Sequence, residues 1–438
     1  MDKIIKRKEK GLKGTIRVPG DKSISHRSVM LNAISEGTAH ITGFLNGADC
    51  ISTINCFRAM GVDIEYDGGN EVTVHGVGLN GLKKPASILD CGNSGTTTRI
   101  ISGLLSGQNF PSSLTGDASI CKRPMKRVIE PLTLMGANIR SVHDNGCAPL
   151  EIKPSSLKGI EYISPVASAQ VKSCILLAGL YADSPTTVSE SALSRNHTEL
   201  MLGALGADIS TKAESTDEGR CFSVTITPGK TLKASDVTVP GDISSAAYFI
   251  GAALIVPGSD IMIDNVGINP TRAGIIKVLK EMGGNITLMN ERTVAGEAVA
   301  DIHVTSSSLR GTEIAGEVIP TLIDELPLIA VVASCAEGTT LIKDASELKV
   351  KESDRITLVT ENLKAMGADI EATDDGFIIN KNNDPLPLHG TVINDALDHR
   401  IAMSFAIAGL IASGETRIVH PECVSISYPD FFKTTDSL

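Results

Sequence analysis

Val18-Pro19-Gly20-Asp21-Lys22-Ser23-Ile24-Ser25-His26-Arg27 reads as a strand end, a Pro-Gly turn and a helix start. The opening recurs once, at Val239-Pro240-Gly241-Asp242-Ile243-Ser244-Ser245, without the basic residues. A helix N-terminus presents unpaired N–H groups and the positive end of the helix dipole. With Lys22, Ser23 and Arg27 in its first turns, the first copy has the makings of a phosphate site. Taken alone it reads equally well as a capped surface helix with solvated charges. The second copy, lacking cations, reads as scaffold.

Between and beyond these two openings the chain repeats. Cys56 to Ile64 runs from a helix end through Gly61 into a strand, and Leu134 to Ile139, Ala204 to Ile209, Lys280 to Ile286 and Lys364 to Ile370 do the same. In each, a Gly follows the last apolar helical residue, as a left-handed cap requires. A second element alternates with the first: an Ala/Leu-rich helix end, a turn residue, then a strand. It covers 33–41, 104–114, 178–188, 252–263, 333–342 and 408–418. The period of roughly 75 residues lies well above that of short solenoids. Strands alternating with helices give an α/β fold class. The two openings divide six units into two sets of three. The expected architecture is two lobes, one over 20–239, the other over 1–19 plus 240–438. A hinge is expected at the crossings near 19–20 and 240–241, able to close the lobes on a ligand.

Length and composition narrow the function classes. The chain has 438 residues, 42% of them apolar, no Trp and a formal charge of −11. Nucleic acid is therefore not an expected partner, since that binding is driven by a basic surface; a local cation cluster can still dominate a small-anion site. Nine cysteines without a C-x-x-C pair read as reduced thiols. The charged N-terminus has no signal-peptide core, and the longest apolar run, 246–257, suits a buried helix rather than a membrane span. A cytoplasmic location and a monomer are expected, with no metal, cofactor or membrane partner.

The polar stretches that periodicity leaves over carry the chemistry. Asp90 to Arg99 is a Gly/Ser/Thr loop without the Lys of a Walker motif. Gly116 to Met125 carries adjacent Lys122 and Arg123, of which one is expected to point at something. Ser164 to Ser173, with Ser168 and Gln170, and Ser194 to Thr198, with Arg195, are helix starts that need no function if they are plain caps. Asp324 and Glu325 precede an apolar run, as a cap or as a base held partly away from water. Val350 to Arg355 is expected to be helical, with Lys351 and Arg355 on one face and Glu352 beside them. Arg400 opens the apolar helix 401–410. Each block alone reads as readily as a turn or a solvated face. Together they describe a site that clamps phosphates and carboxylates and moves protons.

Five motifs in order along the chain carry a close resemblance. They are Gly20-Asp21-Lys22-Ser23-x-Ser25-His26-Arg27, Gly92-Asn93-Ser94-Gly95-Thr96, Gly116-Asp117-x-Ser119-x-x-x-Arg123-Pro124-Met125, Lys351-Glu352-Ser353-Asp354-Arg355 and Asp398-His399-Arg400-Ile401-Ala402-Met403. The chain resembles the 3-phosphoshikimate 1-carboxyvinyltransferase (EPSP synthase) family. The resemblance implies a two-lobed inside-out α/β barrel of six βαβαββ units, three per lobe. It implies enolpyruvyl transfer from phosphoenolpyruvate to shikimate 3-phosphate, in the route to aromatic amino acids, and a target of glyphosate. By motif position, Lys22, Ser23, Arg27, Ser168, Gln170, Arg195, Asp324 and Lys351 are implied to hold shikimate 3-phosphate. Lys22, Gly95, Arg123, Gln170, Arg355 and Arg400 are implied to hold phosphoenolpyruvate. Asp324, Glu352 and Lys22 are the implied catalytic residues. Ala169 in place of a Ser, Glu347 in place of an Asn and Ile426 in place of a Lys are similar to the family's second sequence class. The sister transferase acting on UDP-N-acetylglucosamine is the alternative. It fits less well, because an Asn is expected there where Ser23 stands and a Cys five residues before Arg123, where Cys121 lies only two before. An anion-binding protein of the same repeat would not explain Glu352 beside Lys351.

Overall fold

Strand segments with one buried and one exposed face alternate with helices that are buried nearly all round, and this contrast sets the layering. In the computed structural model, which describes residues 2–216, 219–294, 296–380 and 388–438, the chain divides into two units. One is Gly20–Val239; the other joins Met1–Pro19 to Pro240–Leu438.

Within Gly20–Val239 three helices form the inside: Lys22–Ala33, Gly95–Ser106 and Ala169–Gly179. The other unit has Ile243–Ile255, Leu326–Ala333 and His399–Gly409, with every residue of the last two buried. Helices apolar on every side belong in an interior. Lys22–Ala33 is not apolar, yet residues 24–33 are buried. Its hydroxyl and amide groups turn back onto their own helix: Ser28 Oγ donates to the Ser25 carbonyl and Asn32 Nδ2 to the Ser28 carbonyl. Thr98, Ser102 and Ser106 each donate four residues back in the second helix. Polar side chains that bond locally can be buried without an unpaired donor.

Among the described residues five of the six sheets share one plan, a parallel pair followed by two antiparallel partners, and the sixth has three strands. In the second sheet Leu89–Asp90 runs parallel to Ser112–Thr115, which pairs antiparallel with Leu150–Lys153, and that strand with Asn138–Ser141. With the helices Gly95–Ser106 and Lys126–Leu134 between them, the order along the chain is βαβαββ. The leading strands of two sheets come from the crossings. Val237–Thr238 lies parallel to Glu36–Thr42, and Lys13–Arg17 parallel to Asp260–Gly267. The N-terminal strand Lys3–Lys6 pairs antiparallel with Glu415–Ile418. Strands far apart in sequence thus complete a repeat that the local chain leaves short.

Gly61, Gly136, Gly206, Gly283 and Gly367 all have φ between +84° and +94°. A side chain would be strained at each, which is why the helix-to-strand reversal recurs on glycine. Among the described residues no helix is long and apolar enough to cross a membrane.

Candidate active site

Each unit gathers charged side chains at its helix starts. In Gly20–Val239, Asp21 caps the first helix by accepting from Ile24 N at 2.9 Å. The next residue, Lys22, donates to Asp49 Oδ2 at 2.8 Å. Arg27 is only 3% exposed. Its Nε donates to Thr198 Oγ1 at 2.7 Å and its Nη2 to Ser173 Oγ at 2.8 Å, so two other helices aim it. Beneath them His26 shares a hydrogen bond of 2.7 Å with Thr53 Oγ1. Burial, and then the charges of Lys22 and Arg27, hold that imidazole well below its ordinary pKa. It is neutral and adds no charge to a site already rich in cations.

A second group converges on Gly95. Ser94 caps the helix Gly95–Ser106 by accepting from Thr97 N at 3.0 Å. A Cβ on Gly95 would lie 3.1 Å from Arg99 Nη1 and 3.3 Å from Arg123 Nη1, so both guanidinium groups reach the helix mouth. Asn93 Oδ1 accepts from Arg123 Nη2 at 2.8 Å, and Gln170 Oε1 from Arg99 Nη1 at 2.6 Å. Gln170 in turn donates to Thr96 Oγ1 at 3.0 Å. Lys122 is exposed and Arg123 half-buried, so of this adjacent pair the second is the one directed inward. Ser168 stands at the N-cap position of its helix without a side-chain capping bond.

In the other unit the cluster centres on Arg355, whose side chain is 1% exposed. Its Nε and Nη2 donate to the two oxygens of Asp398 at 2.8 and 3.2 Å, and Nη2 also to Glu352 Oε2 at 2.6 Å. Nη1 lies 3.4 Å from Asp324 Oδ1, and Lys351 Nζ lies 3.4 Å from the same oxygen. Burial opposes the charge on Arg355, but Asp398, Glu352 and Asp324 outweigh it and raise its pKa. One guanidinium therefore links three carboxylates, two of which are candidate proton-transfer groups.

The expected helix through Lys351 and Arg355 does not form. The helix begins at Arg355 because Asp354 caps it, accepting from Ile356 N at 3.1 Å and Thr357 N at 3.2 Å. Lys351 sits before the break and meets Arg355 through Asp324 rather than on a shared face. The second Val-Pro-Gly-Asp opening is not bare of charge either. Arg272 Nη2 donates to Asp242 Oδ1 at 3.1 Å and to Ser244 Oγ at 2.7 Å, and Ser244 donates to Glu325. Arg400 Nη1 lies 3.7 Å from Glu325 Oε1. Burial raises the pKa of Glu325 against the pull of Arg400 and Arg272. Ile426 is half-buried at the end of the turn Pro421–Ile426.

Asp49, Arg99, Arg272 and Asp398 belong to these clusters, although sequence reasoning did not select them as site residues. Arg99 closes the Gly/Ser/Thr loop, and its distance from Gln170 in the chain hides the pairing. Asp398 opens the Asp-His-Arg motif and could have been found as the cap of an apolar helix. Among the described residues no group of three or more His, Cys, Asp or Glu side chains could hold a metal ion.

A repeat of this kind, with cations at its helix mouths and carboxylates beside them, is the fold of enolpyruvyl transferases. The transferase NikO of Streptomyces tendae, 19% identical, superposes with a TM-score of 0.79 over 99% of this chain and 96% of that one. An EPSP synthase from Acinetobacter baumannii, 47% identical, gives 0.87 over 100% of this chain and 98% of that one. The family model for EPSP synthase (3-phosphoshikimate 1-carboxyvinyltransferase) matches residues 6–435. The chain belongs to that family. It is 56% identical over 432 residues to the 3-phosphoshikimate 1-carboxyvinyltransferase of Thermoanaerobacter sp. (strain X514), covering 99% of both chains. With the protein of that name from Brevibacillus brevis the identity is 54% over 422 residues, 96% of each.

Proposed function

We propose that this chain transfers the enolpyruvyl group of phosphoenolpyruvate to the 5-hydroxyl of shikimate 3-phosphate and releases inorganic phosphate. The observation that carries the reading is the linking of Asp324 and Glu352 through one buried guanidinium, in a chain matched end to end by curated 3-phosphoshikimate 1-carboxyvinyltransferases. Addition and elimination need two groups that exchange protons at different atoms. Asp324 takes the proton of the 5-hydroxyl as its oxygen attacks C2 of phosphoenolpyruvate, while Glu352 delivers a proton to C3. The tetrahedral adduct then collapses: C3 returns a proton to Glu352, and the C2–O bond to phosphate breaks as Asp324 passes its proton to the departing phosphate oxygen.

Two substrates bring two phosphates and two carboxylates, so fixed cations are needed to offset their repulsion. Ser23, Arg27, Ser168, Arg195 and Lys351 hold shikimate 3-phosphate in this reading, which makes Gly20–Val239 the unit that supplies most of that subsite. Gly95, Arg123, Arg355 and Arg400 hold phosphoenolpyruvate, and Lys22 and Gln170 touch both. Arg99 joins them through Gln170. Because the cations are already aimed by buried hydroxyls and carboxylates, little reorganisation is left for the reaction itself.

Phosphate release measured with phosphoenolpyruvate plus shikimate 3-phosphate tests the assignment, with UDP-N-acetylglucosamine as the control acceptor. Turnover is expected with the first pair alone. No release with shikimate 3-phosphate would overturn the reading.

A further inference from the structure

The reaction makes no use of Lys172, yet its side chain is 1% exposed and charged. It projects from the helix Ala169–Gly179 onto three oxygens: Glu199 Oε1 at 2.8 Å, Glu190 Oε2 at 3.1 Å and the Ser194 carbonyl at 3.2 Å. Of its three N–H donors, one makes a hydrogen bond to the Ser194 carbonyl, and the two carboxylates meet the ammonium as ion pairs. Glu190 ends the strand Thr186–Glu190. Its Oε1 accepts from the Ser168 N–H at 3.0 Å and its Oε2 from Ser194 Oγ at 2.7 Å. Glu199 lies in the first turn of the helix His197–Ala204. Neither of its carboxylate oxygens has a hydrogen bond to a described residue, which leaves the ion pair with Lys172 to balance its charge.

Burying three ionised groups costs more than an apolar packing of the same volume, so stability does not account for this triad. Its connections account for it better. Ser168 is tied through Glu190, and Ser194, next to Arg195, through both Glu190 and Lys172. Thr198 and Ser173, the chain neighbours of Glu199 and Lys172, both accept from the Arg27 guanidinium. One ionic knot thus anchors three segments that carry Ser168, Arg195 and the partners of Arg27.

We propose that Lys172, Glu190 and Glu199 are positioning residues for the shikimate 3-phosphate subsite, holding the two helix starts and the Ser194–Arg195 loop in the register that substrate requires. The proposal rests on the function assigned above. Ser168, Arg195 and Arg27 all belong to that substrate in the assignment, whereas Gln170, which touches both substrates, is held separately by Arg99 and Thr96, and that is what separates the proposal from a general contribution to folding.

The test is steady-state kinetics on the full chain with each substrate varied separately, for wild type, Lys172→Met and Glu190→Gln, alongside calorimetric titration of shikimate 3-phosphate. Both variants are expected to raise KM and Kd for shikimate 3-phosphate roughly 10–100-fold, with KM for phosphoenolpyruvate within about threefold of wild type, the scale seen when a supporting partner of a binding group is removed. Glu190→Gln keeps the shape and an acceptor for Ser168 N, so it carries the comparison should Lys172→Met fail to fold. A parallel rise in both KM values, or a lower melting temperature with neither KM changed, would overturn the proposal. A wild type that binds shikimate 3-phosphate without turnover would refute the assigned reaction instead, and the titrations would still judge the triad.

Discussion

Replacing Asp398 with Asn removes one charge and almost no volume. Asp398 is 0% exposed and accepts from Arg355 Nε at 2.8 Å, Arg355 Nη2 at 3.2 Å, Ser353 Oγ at 2.8 Å and the Arg400 backbone N–H at 2.9 Å. Asn keeps an oxygen for Arg400 N, so the helix cap survives, but turns an amide toward the guanidinium. Removing one partner of a buried ion pair costs about 3–5 kcal/mol. Glu352 and Asp324 still hold Arg355, so the lower end, about 3 kcal/mol, is expected. For a unit of this size that is a fall in Tm of about 6–12 °C. Asp398→Ala loses the cap as well and should cost about 1 kcal/mol more.

The acid limb offers an independent check on the same carboxylate. Burial opposes the charge on Asp398 and Arg355 more than offsets it, so its pKa lies below 3.8. A lowered folded pKa contributes stability that is present above the unfolded value and lost as pH falls through the folded one. Wild type should lose stability more steeply than Asp398→Asn below about pH 4, and the two curves should run parallel above about pH 5. Urea melts followed by far-UV circular dichroism measure both. A loss under about 1 kcal/mol, the range of an exposed pair, would refute the view that Asp398 holds Arg355 in place.

Asp324→Asn and Glu352→Gln should each lower kcat roughly 10²–10⁴-fold with substrate binding largely kept; near-normal phosphate release from either would remove its proton-transfer role. Gly95→Ala puts a methyl against the ends of Arg99 and Arg123. Both side chains can give way, so the variant should fold and show a KM for phosphoenolpyruvate raised roughly tenfold, and an unchanged KM would detach Gly95 from that substrate. His420 has a raised pKa, chiefly through its hydrogen bond to Asp395 at 2.7 Å. A raised folded pKa contributes stability that is complete below the unfolded value of 6.5 and lost as pH climbs through the folded one. Melting temperature should therefore decline as pH rises above that value, and His420→Asn should flatten the decline; identical curves would show that the pair adds nothing.

The repeat was legible because its signals are local. A glycine after the last apolar helical residue, an Asp or Ser before five of the six buried helices and an alternating strand can all be read within a dozen residues. Gly61 and its four relatives needed no tertiary information to be recognised as left-handed caps. Lys22, Gly95 and Arg400 could be placed at helix mouths for the same reason. Lys351 was misplaced because a helical periodicity was extended across Asp354, whose side chain starts a new helix there.

The sequence by itself determined the six-fold α/β repetition, the two Val-Pro-Gly-Asp openings and the set of cations at helix starts, since capping and periodicity act between near neighbours. Only the tertiary structure decided which distant partner each cation meets. Asp49 comes to Lys22 from 27 residues away, Asp398 to Arg355 from 43, and Gln170 to Arg99 from 71. It also decided that Arg272 reaches the second opening, and that Lys172 joins Glu190 to Glu199 in an interior where sequence suggests only an apolar helix. A buried charge is tolerated wherever the fold brings it a partner, and the identity of that partner is a property of packing rather than of pattern.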